Sequence, residues 1–431
     1  MKLITTVLGV IILTATVSAQ EINNIQNKLR ENRQIISELN KGSCPLGKEF
    51  LYISSDFGKS KLNNANVLVD LKNTLIEKVE YVNTTFAREK KFDQNKLDTK
   101  RLIQLKKAAP WLLSQDMVNW TTSTQNGATK LEDAEKLFHG FRITFRPKYD
   151  EKMAKKEADY LDDLLTGGLL ALTHPIESEI EEPRFLESSS VISVISTSSI
   201  GGEVIIRDTV VFLHGGLGLG FKPDSTIFNV LDRNEHWKNN IIVHDVTGSM
   251  SPYTGQVLLW HKLNFDKKRN VGYVFFNDGN NMSDRDKVDG SVGGVYFADG
   301  ETIDQVTKVA KKAMYSGYGG DIPENNIEAA LLGMERFPKA KNIVMIADNW
   351  ATPRDLEFAE KLTLPVKIIL CGTGWGVNTK YLDLARKTGG SIHTIEKDIV
   401  DLTTMHEGET IELNHVTYKI QKGKFVKTTA I

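Results

Sequence analysis

From Asn240 onward the chain repeats one pattern: a short apolar run that reads as a buried strand, then an amphipathic stretch that reads as a helix. Ile241 to Val243, Val271 to Phe276, Gly294 to Phe297, Ile343 to Ala347, Val366 to Cys371 and Ser391 to Ile395 are the strand-like runs. Helical spacing falls at Gly255 to Leu263, Thr302 to Met314, Pro323 to Phe337, Arg354 to Leu362 and Tyr381 to Lys387. Apolar strands alternating with helices leave the sheet no solvent-facing side, so the predicted fold class is α/β, a mostly parallel sheet with helices on both faces. Ligands of such sheets bind beyond the C-terminal ends of the strands.

That edge carries the most specific chemistry in the chain. Asp245 directly follows an apolar strand, and Thr247 and Ser249 repeat two and four residues later. One carboxylate and two hydroxyls in a small volume suit a hard divalent cation, which takes oxygen ligands and keeps some water. Mg2+ is the first choice, with Mn2+ or Ca2+ as alternatives. The plain alternative is an Asx/Ser-rich turn.

The run His244-Asp245-Val246-Thr247-Gly248-Ser249-Met250-Ser251 resembles the metal-ion-dependent adhesion site of von Willebrand factor type A (vWA) domains, whose pattern is Asp-x-Ser/Thr-Gly-Ser-x-Ser. Ile343 to Asp348 resembles the family's fourth strand with its metal-facing Asp348. Val366 to Gly376 and then Tyr381 to Thr388 resemble the fifth strand, its Gly-x-Gly turn and the next helix. The resemblance spans 238–400 and implies a vWA-type (Rossmann-like) fold, a metal held by Asp245, Thr247, Ser249, Asp321 and Asp348, and a protein partner bound through it. Asn349 departs from the usual Gly after the fourth-strand Asp. Asp321 stands where the family often has Thr, and its spacing to Glu324 also fits a capping box. Both readings of Asp321, ligand and helix cap, stay open here.

Other candidates are weaker. His214-Gly215-Gly216 is similar to an oxyanion loop, but no Gly-x-Ser-x-Gly elbow accompanies it. Gly215 to Gly220 lacks a dinucleotide fingerprint opening a helix. Asn277 to Asn281 with Asp284, Asp286 and Asp289 reads as a solvated loop, an accessory Ca2+ site being the alternative. His244 should point away from Asp245 and pack. Trp260 reads as core, whereas Ser251, Trp350 and Trp375 are candidate partner contacts at the metal's rim. No catalytic residue is expected.

The rest of the chain frames this domain. Its 431 residues exceed one ordinary domain. A net charge of −1 argues against a general nucleic-acid binder. Residues 1–19 read as a signal peptide: Lys2, an apolar stretch to Val17, then Ser18-Ala19 for cleavage. No other apolar segment is long enough to span a membrane, so an exported protein, periplasmic or extracellular, is expected. Residues 20–172 read as mainly helical, with Val67 to Phe86 as one helix and Phe141 to Arg146 as a strand. The acidic and Ser-rich stretch 173–203 reads as a linker, 204–237 as a strand and Gly-rich connection, and 401–431 as a β-ribbon. Cys44 and Cys371 make no disulfide framework; Cys371 reads as a core thiol, with a Cys44–Cys371 bridge as the alternative. Functionally the expectation is a metal-dependent protein-binding module for adhesion or envelope assembly. The alternatives are a structural protein whose metal only stabilises the fold and, more weakly, a metal-assisted hydrolase.

Overall fold

The computed structural model describes residues 21–42, 49–72, 74–86, 92–113, 115, 117–146, 151–152, 155, 159, 161, 189–200, 203–214, 225–264, 269–317, 322–374 and 376–428; at 189–200, 203–214, 251, 252 and 263 the backbone alone is described. The chain divides into two compact units, Met1–Pro147 and Lys148–Ile431. The signal segment, Cys44, Asp321 and Trp375 lie outside the described residues, as does the side chain of Ser251.

The first unit corrects the helical expectation for 20–172. Its centre is a five-stranded sheet of β1 (Arg33–Ile36), β2 (Glu49–Ser54), β3 (Ile76–Thr84), β4 (Asn119–Gln125) and β5 (Gly140–Phe145), in the order β1-β4-β3-β5-β2. β1, β4 and β3 run parallel, and β5 and β2 pair antiparallel beyond them. Val67 to Phe86 is not one helix: a 3-10 turn at Ala65–Leu71 precedes β3. β3 is nearly continuously buried, so no period-2 alternation marks it, and Leu68, Leu71, Leu75, Val79 and Val82 happen to fall near helical spacing. The β-branched and aromatic content of 76–84 was the better guide. Helices α1 (21–31) and α2 (Gln94–Ala108) belong to this unit. α2 stops before Pro110, which opens the short α3 (Pro110–Leu113), a position where the missing N–H costs nothing.

The second unit carries the α/β pattern. Its main sheet contains β8 (Asn240–Asp245), β9 (Asn270–Phe276), β10 (Val295–Ala298), β11 (Asn342–Asp348), β12 (Val366–Cys371), β13 (Ser391–His393) and β14 (Asp398–Ile399), ordered β10-β9-β8-β11-β12-β13-β14. The five inner strands are parallel, and the two edge strands are antiparallel. Alternate residues of each inner strand enter different cores. Ile241, Val243, Ile343, Met345 and Ile368 pack with helices Asn326–Arg336 and Thr379–Lys387. Ile242, Val344, Ile346 and Ile369 pack with helices Thr226–Arg233, Ser251–Asn264 and Ile303–Ser316. Burying each such side chain contributes roughly 1.5–3 kcal/mol.

Two further sheets complete the unit. Residues 410–428 form an antiparallel sheet of β15 (Thr410–Leu413), β16 (Val416–Gln421) and β17 (Lys424–Thr428). Its turns use Asn414 and His415, both at positive φ, and Lys422-Gly423, also both positive. Two consecutive left-handed residues give the primed turn that matches strand twist. Leu413, Tyr418, Ile420 and Phe425 join the core beneath helix Thr379–Lys387. The expected linker at 173–203 is corrected for its described part: β6 (Ser189–Ile200) pairs in full register with β7 (Glu203–His214). Val191, Ile192, Val194 and Ile195 interleave the serines, and β-branched residues favour strand pairing over a solvated chain.

Candidate metal centre

β8 and β11 are neighbours at the point where the strand order reverses, and each ends in an aspartate. Connections leave this point in opposite directions, which opens a crevice above the strand ends. Asp245 is fully buried and Asp348 nearly so. Both use the same local device: Asp245 Oδ1 accepts the Thr247 amide at 2.8 Å, and Asp348 Oδ1 accepts the Trp350 amide at 2.9 Å. Thr247 Oγ1 also donates to Asp245 Oδ1 at 2.6 Å and lies 3.3 Å from Ser249 Oγ. Asp245, Thr247 and Ser249 are thus one connected group, with Ser249 half-buried.

The other oxygen of Asp245 is buried and has no hydrogen-bond partner. Burial pushes the Asp245 carboxyl up to about 7; the Thr247 donors oppose that, and the charges of Asp348 and Asp278 add to it. An unpaired carboxylate in this position is costly unless it is protonated or meets a cation.

Asp321, the residue that would partner Glu324 in a capping box, lies outside the described residues, and the first turn of helix Asn326–Arg336 is served from elsewhere. Asp355 Oδ1 accepts the Ile327 amide at 3.1 Å, and Asp355 Oδ2 accepts the Glu328 amide at 2.6 Å. The N-cap residue is Asn325, with no side-chain cap bond. Glu324 instead bridges to Pro353, its carbonyl accepting the Arg354 amide at 2.9 Å. Its buried Oε2 has no hydrogen-bond partner. Burial raises its carboxyl well above the ordinary range, and the charges of Asp245 and Asp278 raise it further, opposed by Lys287 and Arg354.

The loop expected to be solvated is so in part: Asn280, Asn281, Asp286 and Asp289 are exposed, whereas Asn277 and Asp278 are buried. Asp278 is buried between Lys287, 2.5 Å away, and Arg354, 2.9 Å away. Asn277 Nδ2 donates to the Ala313 carbonyl at 2.6 Å. Two cations therefore balance Asp278, whereas among the described residues no basic side chain forms an ion pair with Asp245 or Glu324.

Trp350 is also corrected: it is buried, and its indole N–H donates to the Gly372 carbonyl at 3.0 Å. Gly372 has φ +77° and a Cβ there would sit 3.3 Å from the Trp350 ring, so the turn after β12 and the indole fit together. Asn349 does more than replace a glycine. Its Nδ2 donates to the Gly376 carbonyl at 2.8 Å and its Oδ1 accepts the Asn378 amide at 2.8 Å, tying the end of β11 to the loop after β12. His244 packs on the far side against Thr254 Oγ1 at 3.2 Å, and burial pushes it down to about 3.

Among the described residues there is no group of three or more His, Cys, Asp or Glu side chains arranged to hold a metal ion, so a cation at this edge has to draw on hydroxyls as well as carboxylates. No family model, curated protein or solved structure matches the chain. What the site can do follows from its own donors: two strand-end carboxylates and two hydroxyls, with the buried Glu324 in the field of Asp245.

A second polar chain lies elsewhere in this unit and was not foreseen. Ser391 Oγ lies 2.6 Å from His393 Nε2, and His393 Nδ1 lies 2.7 Å from Asp398 Oδ1. Arg233 and Asn234 also donate to Asp398, and Trp237 meets the His393 ring edge-on at 4.7 Å. Ser391 and His393 are buried, so the chain clamps helix Thr226–Arg233 to β13 and β14.

Proposed function

We propose that the ends of β8 and β11 form a divalent-cation site of a vWA-type domain, in an exported protein that uses the site to bind a protein partner. Asp245, Thr247, Ser249 and Asp348 would hold the ion, and Asp321 is a further candidate ligand. The observation that carries this reading is the buried Asp245 Oδ2 without a donor. Buried charges in folded proteins are paired or coordinate metals, and the orphaned Glu324 oxygen repeats the signal. Carboxylates and hydroxyls are hard oxygen donors, which favours Mg2+, with Mn2+ and Ca2+ as alternatives. When bound, the ion supplies a positive point to which a partner's carboxylate can attach. The chain's part is preorganisation: the Thr247 amide fixes one oxygen of Asp245 and leaves the other for ligation, and the Trp350 amide orients Asp348.

The alternative, an ion that only stabilises the fold, is favoured by two observations. Glu324 places a third buried carboxyl in the field of Asp245, and Trp350 is buried instead of presenting an apolar anchor. Thermal unfolding during Mg2+, Mn2+ and Ca2+ titration tests the site, since a ligand of the native state must raise stability. No shift with any of the three refutes the metal. A shift that disappears in Asp245→Ala together with partner capture supports binding through the ion; retained capture assigns the ion to stability.

A further inference from the structure

The first unit contains a cavity of about 130 Å3 lined by α1, α2 and the sheet, through Arg30, Arg33, Tyr81, Asn83, Asp98 and Thr122 among others. That is space for a small metabolite rather than a drug-sized ligand, whose pockets run to roughly 300–1,000 Å3. Its walls mix apolar and polar surface and carry both signs of charge, from Arg30, Arg33 and Asp98. β3 sends Tyr81 and Asn83 to this face. The Tyr81 hydroxyl donates to Asp98 Oδ1 at 2.6 Å and accepts from Arg101 Nη1 at 3.1 Å, so that part of the wall is fixed from behind. Gln94 Nε2 also donates to Asp98 Oδ1. Thr122 Oγ1 donates to the Leu29 carbonyl at 2.8 Å, which holds the end of α1 over β4.

One group on this wall is left over. Asn83 is 5 % exposed, and its Oδ1 is buried with no hydrogen-bond partner. A buried acceptor without a donor costs about 1–3 kcal/mol, and here it faces an open cavity in place of packed chain. Arg30 stands at the same cavity, exposed and outside every ion pair of the described residues. An acceptor lacking a donor, a carboxylate and two guanidinium groups call for a ligand with an N–H-rich cation and a carboxylate.

We propose that this cavity binds a free α-amino acid, its carboxylate met by Arg30 and Arg33 and its ammonium by Asn83 Oδ1 and Asp98. Charge-assisted bonds of guanidinium to carboxylate are the strong class of hydrogen bond, and the volume admits a molecule of this size. The site lies in the unit that does not contain the candidate metal centre and stands whether or not that centre holds a cation.

The test is isothermal titration of the full chain with each standard free L-amino acid, alongside succinate, ethanolamine and inorganic phosphate. Saturable binding of at least one amino acid is expected, weakened roughly tenfold or more in both Arg30→Ala and Asn83→Ala, with ethanolamine and succinate each weaker than the amino acid. Arg30 is exposed, so its variant retains the fold; a chemical-shift change of the Asn83 side-chain amide on titration gives a readout in the unaltered protein. Absence of binding by every amino acid overturns the proposal. So does a hit that both variants bind as tightly as wild type, or phosphate or succinate binding as tightly as the best amino acid, which would make the cavity a plain anion site.

Discussion

Asp245→Asn separates the electrostatic cost of the site from its use. The substitution keeps an Oδ1 to accept the Thr247 amide and hydroxyl, and replaces the orphaned Oδ2 by an NH2 donor among carboxylates. Asp245 is pushed from 3.8 to about 7, about three units, and each unit is worth about 1.4 kcal/mol. The folded-state value is the raised one, so the native protein binds a proton that the unfolded chain has released between these pH values. The stability this group contributes is complete below pH about 4 and is lost as pH rises through about 7. Metal-free Asp245→Asn should therefore match wild type near pH 4 and exceed it at pH 8, by at most about 4 kcal/mol. Saturating Mg2+ should narrow that gap: wild type gains roughly 2.7 kcal/mol at a hundredfold excess over Kd, and the variant gains nothing. Urea unfolding with hydrogen-exchange protection of the β8 amides, in EDTA and in Mg2+, measures both. A metal-free variant less stable than wild type at pH 8, or one that responds to Mg2+ as wild type does, refutes the reasoning.

Three other outcomes follow from neighbouring contacts. Asp355→Ala leaves the Ile327 and Glu328 amides without their acceptors and should cost about 2 kcal/mol, visible as faster exchange in the first turn of helix Asn326–Arg336; unchanged exchange there contradicts the capping role. Trp350→Phe removes the bond to the Gly372 carbonyl and should cost about 1 kcal/mol, whereas Trp350→Ala also opens a cavity and should cost about 3–5 kcal/mol; a neutral Ala variant in thermal unfolding would mean the indole is not packed. For Asp398, burial pushes the carboxyl up, but bonds from His393, Arg233 and Asn234 outweigh that and hold it below the ordinary range. Its stabilisation is present above pH about 4 and lost as pH falls toward the lowered folded value. Asp398→Asn should flatten that part of the acid-unfolding profile, and an unaltered profile rejects the clamp.

What could be read from the sequence was whatever a local pattern encodes. Asp245 and Asp348 each close an apolar strand, so their position at the C-terminal edge follows from the run before them, and Asn414-His415 and Lys422-Gly423 mark primed turns by residue type alone. β3 was misread because burial on both faces erases the alternation that distinguishes a strand, leaving only its β-branched composition. The β6–β7 ribbon was misread because serine content was weighed above the valines and isoleucines between the serines. Glu324 is a different case. Its spacing to Asp321 also fitted a cap, but helix Asn326–Arg336 starts later, and its first-turn amides are taken by Asp355, which approaches through the turn that bridges Glu324 to Pro353. Glu324 itself is buried within the field of Asp245. Two distant segments thus decide the surroundings of one side chain, and a buried carboxyl in the field of Asp245 is what no local pattern could reveal.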